Sequence, residues 1–258
     1  MSTTPTDTKS TGSAADQPEP AKRSDRDSWA KPVSQLSVSG IPDDAINLNV
    51  EGRRVAGPAQ GFGRMWRKRH HVRLDGLDVA PQEVISTWKS NFGSFWPSGN
   101  RFYGPITGLL PGDVAVINLA MPGKQKLSTG VLVLYADDES FSLMTPQGHV
   151  FAGWITFSSY TEDSTPIVQA EILMRASDPI FEIGMEVMGH KRENAFWEQT
   201  LRNVASHFGI QGEAITEVEC VDPHRQWRYV TNVWQNSQIR TALYMPTIPF
   251  RAAARRFR

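Results

Sequence analysis

The stretch from Glu139 to Gly209 constrains this chain more than any other. Two strand-like segments, 150–160 and 165–175, read as its longest hairpin, and the second leads through Arg175-Ala-Ser-Asp-Pro179 into a long amphipathic helical region. In the second segment Val168, Ala170, Ile172 and Met174 hold alternate positions and share one face, because side chains alternate along a strand. The other face carries Gln169, Glu171 and Arg175, interrupted by Leu173. In the first segment Phe151, Ile155 and Phe157 alternate with Trp154 and Thr156, so both faces are partly apolar. An antiparallel sheet closed by a C-terminal helix can wrap an apolar cavity. That argues for a binding module more than for any particular reaction.

Ser177 or Asp178 suits the N-cap of the helical region, with Pro179 at the first position, where its missing N–H costs nothing. Ile180, Ile183, Gly184, Val187 and Met188 follow one apolar helical period, and Trp197, Leu201, Val204, Ala205 and Phe208 follow another. At about 100° per residue the two stripes differ in phase by roughly 80–90°. The expectation is a kink or break at Gly189, with two helices each facing the sheet.

Order is expected to begin near Trp66, with a first strand over 70–75 and then a helix from Pro81 that carries Val84, Ile85, Trp88 and Phe92. A short strand at 101–103 and three longer runs at 113–120, 129–136 and 140–144 come next, and Thr145-Pro-Gln-Gly-His149 makes a tight turn. Residues 1–35 are polar and poor in apolar groups, which predicts a disordered tail; 36–64 read as an extended linker, 65–212 as the domain, and 213–258 as a C-terminal extension packing on or beside it. The extension predicts strands at 215–220 and 228–234 and a helix near 238–244. The fold class is α+β, with about six or seven antiparallel strands.

Lys+Arg and Asp+Glu both number 27, so no whole-molecule attraction to nucleic acid is expected. The single Cys220 excludes an intrachain disulfide and a Cys-based metal site. No run approaches the roughly 18 apolar residues of a membrane span, and the N-terminus lacks the basic start and apolar core of a signal peptide. A cytoplasmic protein is the expectation.

The order of strand, helix, further antiparallel strands and long C-terminal helix resembles the START-like or helix-grip superfamily, which includes plant pathogenesis-related lipid-binding proteins, polyketide cyclases and coenzyme Q-binding proteins. Within it, Phe141-Ser-Leu-Met-Thr-Pro-Gln-Gly-His149, Ala152-Gly-Trp-Ile-Thr-Phe157, Arg175-Ala-Ser-Asp-Pro179 and Phe196-Trp-Glu-Gln-Thr-Leu201 look like the motifs of a bacterial family, over about residues 65–210. The resemblance implies a curved sheet wrapped on the helix and an apolar cavity between them. It implies no catalytic set and no cofactor.

Trp88, Trp96, Trp154 and Trp197 stand on four elements that could wall such a cavity, although any one of them could equally be core. Arg175 is a candidate ligand partner at the mouth for a carboxylate or phosphate; alternatively it staples the strand–helix junction with Asp178. His149 as a catalytic base needs an orienting carboxylate, for which Glu171 and Asp178 are the candidates; the ordinary alternative is a turn histidine bonded to backbone. No metal-binding spacing occurs, and neither metal nor cofactor is expected. The basic run from Arg64 to Arg73 and the end from Arg251 to Arg258 offer peripheral membrane contact, or in the first case protection of an edge strand. The function expected is binding of a small hydrophobic or amphipathic molecule such as a lipid. The alternatives are an enzyme on the same fold (cyclase, hydrolase or dehydratase) using His149, and an interaction protein docking through the basic segments.

Overall fold

The computed structural model describes residues 25–40, 47–105, 108–121 and 126–247. Most of the tail expected at 1–35, and the basic end from Arg251 to Arg258, lie outside the described residues.

Strand β1 spans Met65–Arg73 and helix α1 Pro81–Ser90. After them come strands β2 Arg101–Tyr103, β3 Val114–Ala120, β4 Lys126–Ala136, β5 Ser140–Met144, β6 Phe151–Glu162 and β7 Thr165–Ala176. They pair antiparallel in the order β2-β3-β4-β5-β6-β7-β1, and β8 (Ala214–Asp222) adds to the free edge of β1. The C-terminal extension thus supplies an eighth strand to the sheet. The β6–β7 hairpin turns through Asp163 and Ser164, both at positive φ (47° and 65°), the two-residue geometry that matches strand twist.

Alternation sorts the sheet into two faces. Val168, Ala170, Ile172 and Met174 are buried as expected and pack with Phe141, Phe157 and the Trp88 of α1 in the main core. On the opposite face of β3 and β4, Val116 and Leu132 form a second small core with Leu36 and Val50 from the segment expected as a linker. Asn49 ties that layer to the sheet and to helix α4 (Ser237–Tyr244), donating to Ser128 O at 2.7 Å and Ser237 O at 3.2 Å.

The helical region meets the expectation in part: its geometry changes over the segment ending at Gly189, but the helix does not break there. Asp178 caps α2 (Pro179–Gly184), accepting from Ile180 N and Phe181 N, and a π-helical segment, Met185–Gly189, runs without a break into α3 (His190–His207). Gly189 is helical, at φ −64° and ψ −44°. An i→i+5 turn accommodates one extra residue and rotates the succeeding turns by about 100°, which absorbs the phase difference behind the expected kink or break. The first stripe does not face the sheet either: Ile183 and Val187 are 63% and 73% exposed, while Phe181 and Met185 are buried. A second correction concerns 228–234, which lie in a 3-10 run, Trp227–Gln235, instead of a strand. Trp227, Val230 and Val233 recur every third residue and share one side of a three-residue turn. Among the described residues no helix is long and apolar enough to cross a membrane.

Candidate functional site

A cavity of about 600 Å³ lies between the inner face of the sheet and the α2–π–α3 helix. Ile117, Val131, Leu143, Ile155, Ile172 and Met174 form the sheet wall. Phe181, Met185, Gly189, Glu193 and Trp197, four residues apart in turn, line it from the helix. The π segment is part of this wall: a Cβ at Gly189 would lie 2.5 Å from Met185 Sδ, so the wide turn packs tightly only around glycine. Trp96 and Phe196 close one side with an edge-to-face ring contact at 5.3 Å.

The sequence-derived candidates separate. Trp96 and Trp197 line the cavity. Trp88 does not; it is fully buried under α1 with its ring against Phe141 and Phe157, at 5.9 and 4.9 Å. Trp154 is among the lining residues too, but alternation with Ile155 turns its indole towards the other face, where Cζ3 stands 3.7 Å from the place a Gly57 Cβ would take. Arg175 is not at the mouth. Its buried guanidinium donates to Gly63 O at 2.6 Å, to His224 O at 2.9 Å and to Asp222, which fastens the end of β7 to the end of β8. The His224 backbone N–H, Arg175 and the His224 side chain hold the Asp222 carboxyl well below its usual range.

His149 lines the cavity, but neither candidate carboxylate attends it. Glu171 is on the outer face, paired with Arg69 at 3.5 Å. Asp178 accepts from Ile180 N and Phe181 N and from Asn236 Nδ2 at 2.8 Å, and burial raises its pKa against the pull of those donors. His149 Nδ1 accepts from Phe151 N at 3.1 Å, so in the neutral ring the proton sits on Nε2. Burial lowers its pKa to about 4, which keeps the imidazole neutral near pH 7.

The basic run divides by parity. Arg67, Arg69 and Arg73 point outward and meet Glu219, Glu217 and Glu162 at 3.4, 3.3 and 3.2 Å. Lys68, His70 and Val72 point inward and are fully buried. Lys68 Nζ donates to Glu193 Oε2 and to Asn194 Oδ1, the latter at 2.6 Å. This pair behind the cavity wall is what the sequence reading missed. The parity of Lys68 with Val72 was its one visible signal. Glu193 is the acidic residue of the lining, and burial raises its pKa while Lys68 pulls the other way. Among the described residues no three His, Cys, Asp or Glu side chains converge on a point a metal ion could occupy.

No family model and no curated protein matches the chain. Solved structures do. The di-domain ARO/CYC StfQ from the steffimycin biosynthetic pathway is similar at 9% identity and a TM-score of 0.45, over 57% of this chain and 53% of StfQ. The chain therefore spans about half the length of StfQ. The KanY protein is similar at 11% identity and a TM-score of 0.43, over 55% of this chain and 96% of KanY. A major latex-like protein from Panax ginseng is similar at 12% identity and a TM-score of 0.36, over 56% of this chain and 98% of its own. The cavity, rather than these likenesses, bears on function. One antiparallel sheet closed on a long helix across an apolar space gives this chain the helix-grip fold.

Proposed function

We propose that this protein binds a small, largely apolar molecule in the cavity between the sheet and the α2–π–α3 helix. The observation that carries the reading is the cavity: about 600 Å³, walled mainly by Ile, Val, Leu, Met, Phe and Trp side chains. Small-molecule sites fall at roughly 300–1,000 Å³. Water at about 30 Å³ per molecule would fill this space with some twenty molecules. Such water would find few hydrogen-bond partners on these walls, so its replacement by an apolar guest is favourable. The candidate His149 dyads do not form, and the outward arginines of β1 are matched by glutamates, so neither a reaction nor a basic docking surface has comparable support.

The experiment is calorimetric and fluorimetric titration of the full chain with 1-decanol. The reading predicts one saturable site, a negative heat-capacity change and altered Trp96 and Trp197 emission. Heat of dilution alone, with emission unchanged, would overturn it.

A further inference from the structure

We propose that Arg192 anchors the head of the cavity's ligand, so that the molecule bound is an amphiphile with an apolar body and a single carboxylate. The inference deepens the binding reading and rests on it. Ile180, Gly184, Met188 and Arg192, four residues apart in turn, line the cavity and are also exposed, Ile180 and Met188 at 46% and 54%. This row runs one residue before the buried line of Phe181, Met185, Gly189 and Glu193, so it forms the rim where the lining meets solvent. Two of its members are apolar and one has no side chain. The fourth carries a permanent positive charge.

That charge is not matched within the protein. The glutamates of the helix each have a cation: Glu182 meets Arg225 at 3.1 Å, Glu186 meets Arg64 at 3.3 Å, Glu193 holds Lys68, and Glu198 meets Arg202 at 3.7 Å. Among the described residues no ion pair or hydrogen bond engages the Arg192 side chain. Arg192 and Glu193 are the charged side chains of the described lining, and Glu193 is already neutralised by Lys68. One unmatched positive charge is left at the opening of an apolar space. The Lys68–Glu193 pair also ties the adjoining turn to β1, so the guanidinium extends from a fixed backbone. An acid whose tail enters the cavity would keep its carboxylate at this rim, in contact with water, and would avoid the desolvation that a charge among the walls suffers. A guanidinium offers a planar pair of N–H donors that fits a carboxylate through two bonds and matches its single charge. The larger charge of a phosphate monoester would be compensated only in part.

The test titrates decanoate and 1-decanol into the full chain and two variants at about pH 8, where the acid is ionised. Arg192 is exposed, so its replacement by glutamine should leave the fold intact. Arg192→Gln is expected to weaken decanoate about fivefold, the upper range for a solvent-exposed ion pair, and to leave 1-decanol unchanged. Lys191→Gln removes the same charge one residue away, at an exposed side chain outside the lining, and is expected to change neither. Raised salt should weaken decanoate in the unsubstituted protein and not in Arg192→Gln. Equal weakening of decanoate by both variants would mean diffuse attraction to basic side chains and would overturn the assignment. So would an unchanged decanoate affinity in Arg192→Gln, a loss shared by the alcohol, or binding of the alcohol alone to the unsubstituted protein. In each of these cases 1-decanol still binds the unsubstituted protein and the binding reading stands. Failure of both ligands to bind the unsubstituted protein would overturn both proposals.

Discussion

Replacing Lys68 by methionine removes one half of a buried ion pair and leaves the other half in place. The Lys68 and Glu193 side chains are 0% and 7% exposed, so neither charge has recourse to bulk water. Methionine fills much of the lysine stem's volume, but Glu193 loses its counter-ion and Asn194 Oδ1 loses its donor. Breaking such a pair from one side costs about 3–5 kcal/mol. At about 2–4 °C per kcal/mol for a domain of this size, the thermal midpoint should fall by roughly 6–20 °C. Replacing both partners with apolar residues of similar shape is often neutral or better, so Lys68→Met/Glu193→Leu should recover most of the loss. Urea denaturation with calorimetry on the two single variants and the double variant closes the cycle, with an expected coupling of at least 2 kcal/mol or so. A Lys68→Met cost below about 1 kcal/mol, with no recovery in the double variant, would mean the pair is solvated like a surface one, and the electrostatic account of the cavity wall would fall.

Two single positions carry further expectations. Gly148 stands at φ +83°, and a Cβ there would lie 2.0 Å from the Gln235 carbonyl oxygen. Gly148→Ala should therefore cost at least about 1–2 kcal/mol for the left-handed backbone alone, and hydrogen exchange over 227–244 should quicken as the Ser237 N–Gly148 O bond (2.9 Å) is lost; unchanged protection would contradict this. His149 folds neutral with its pKa lowered from 6.5 to about 4, so its contribution to stability is complete above pH 6.5 and is lost as pH falls towards 4. His149→Gln should remove up to about 1.4 kcal/mol per pH unit from the slope of stability in that window, and an unaltered slope would show that the ring is not buried neutral.

The sheet was legible because alternation is written plainly in 165–175 and because Pro-Gly turns punctuate the strands before it. The caps were equally plain at Asp178 and Pro179. The helix misled for a physical reason. Its visible stripe, Ile180, Ile183, Val187 and Met188, is exposed at the cavity side and solvent, whereas the buried line runs Phe181, Met185, Gly189, Glu193. A glycine and a glutamate in that line disguise it as polar, and the π insertion changes the period midway. The site was half legible for a related reason. Trp96 and Trp197 stand at the cavity, but Trp154 lies one residue out of phase with Ile155 and so faces the other way. Arg175 read as a mouth residue or a junction staple with Asp178 because its actual partners, Asp222 and His224, lie in the extension, 47 and 49 residues further along the chain. Lys68 and Glu193 are 125 residues apart, and nothing short of the β1–α3 packing brings them together.

A homologous series of primary alcohols from hexanol to tetradecanol, titrated into the full chain, puts the cavity itself to the test. Each buried methylene contributes about 0.8 kcal/mol, so the dissociation constant should tighten about fourfold per carbon with one molecule bound throughout. The space of about 600 Å³ between sheet and helix then fills, and further carbons, left outside the apolar walls, should add little or nothing. That break in slope is the result the cavity predicts. Affinity that climbs with chain length without limit and without a fixed stoichiometry would mean adsorption to exposed apolar side chains, and no saturable binding at any length would mean that the space between sheet and helix is not a site.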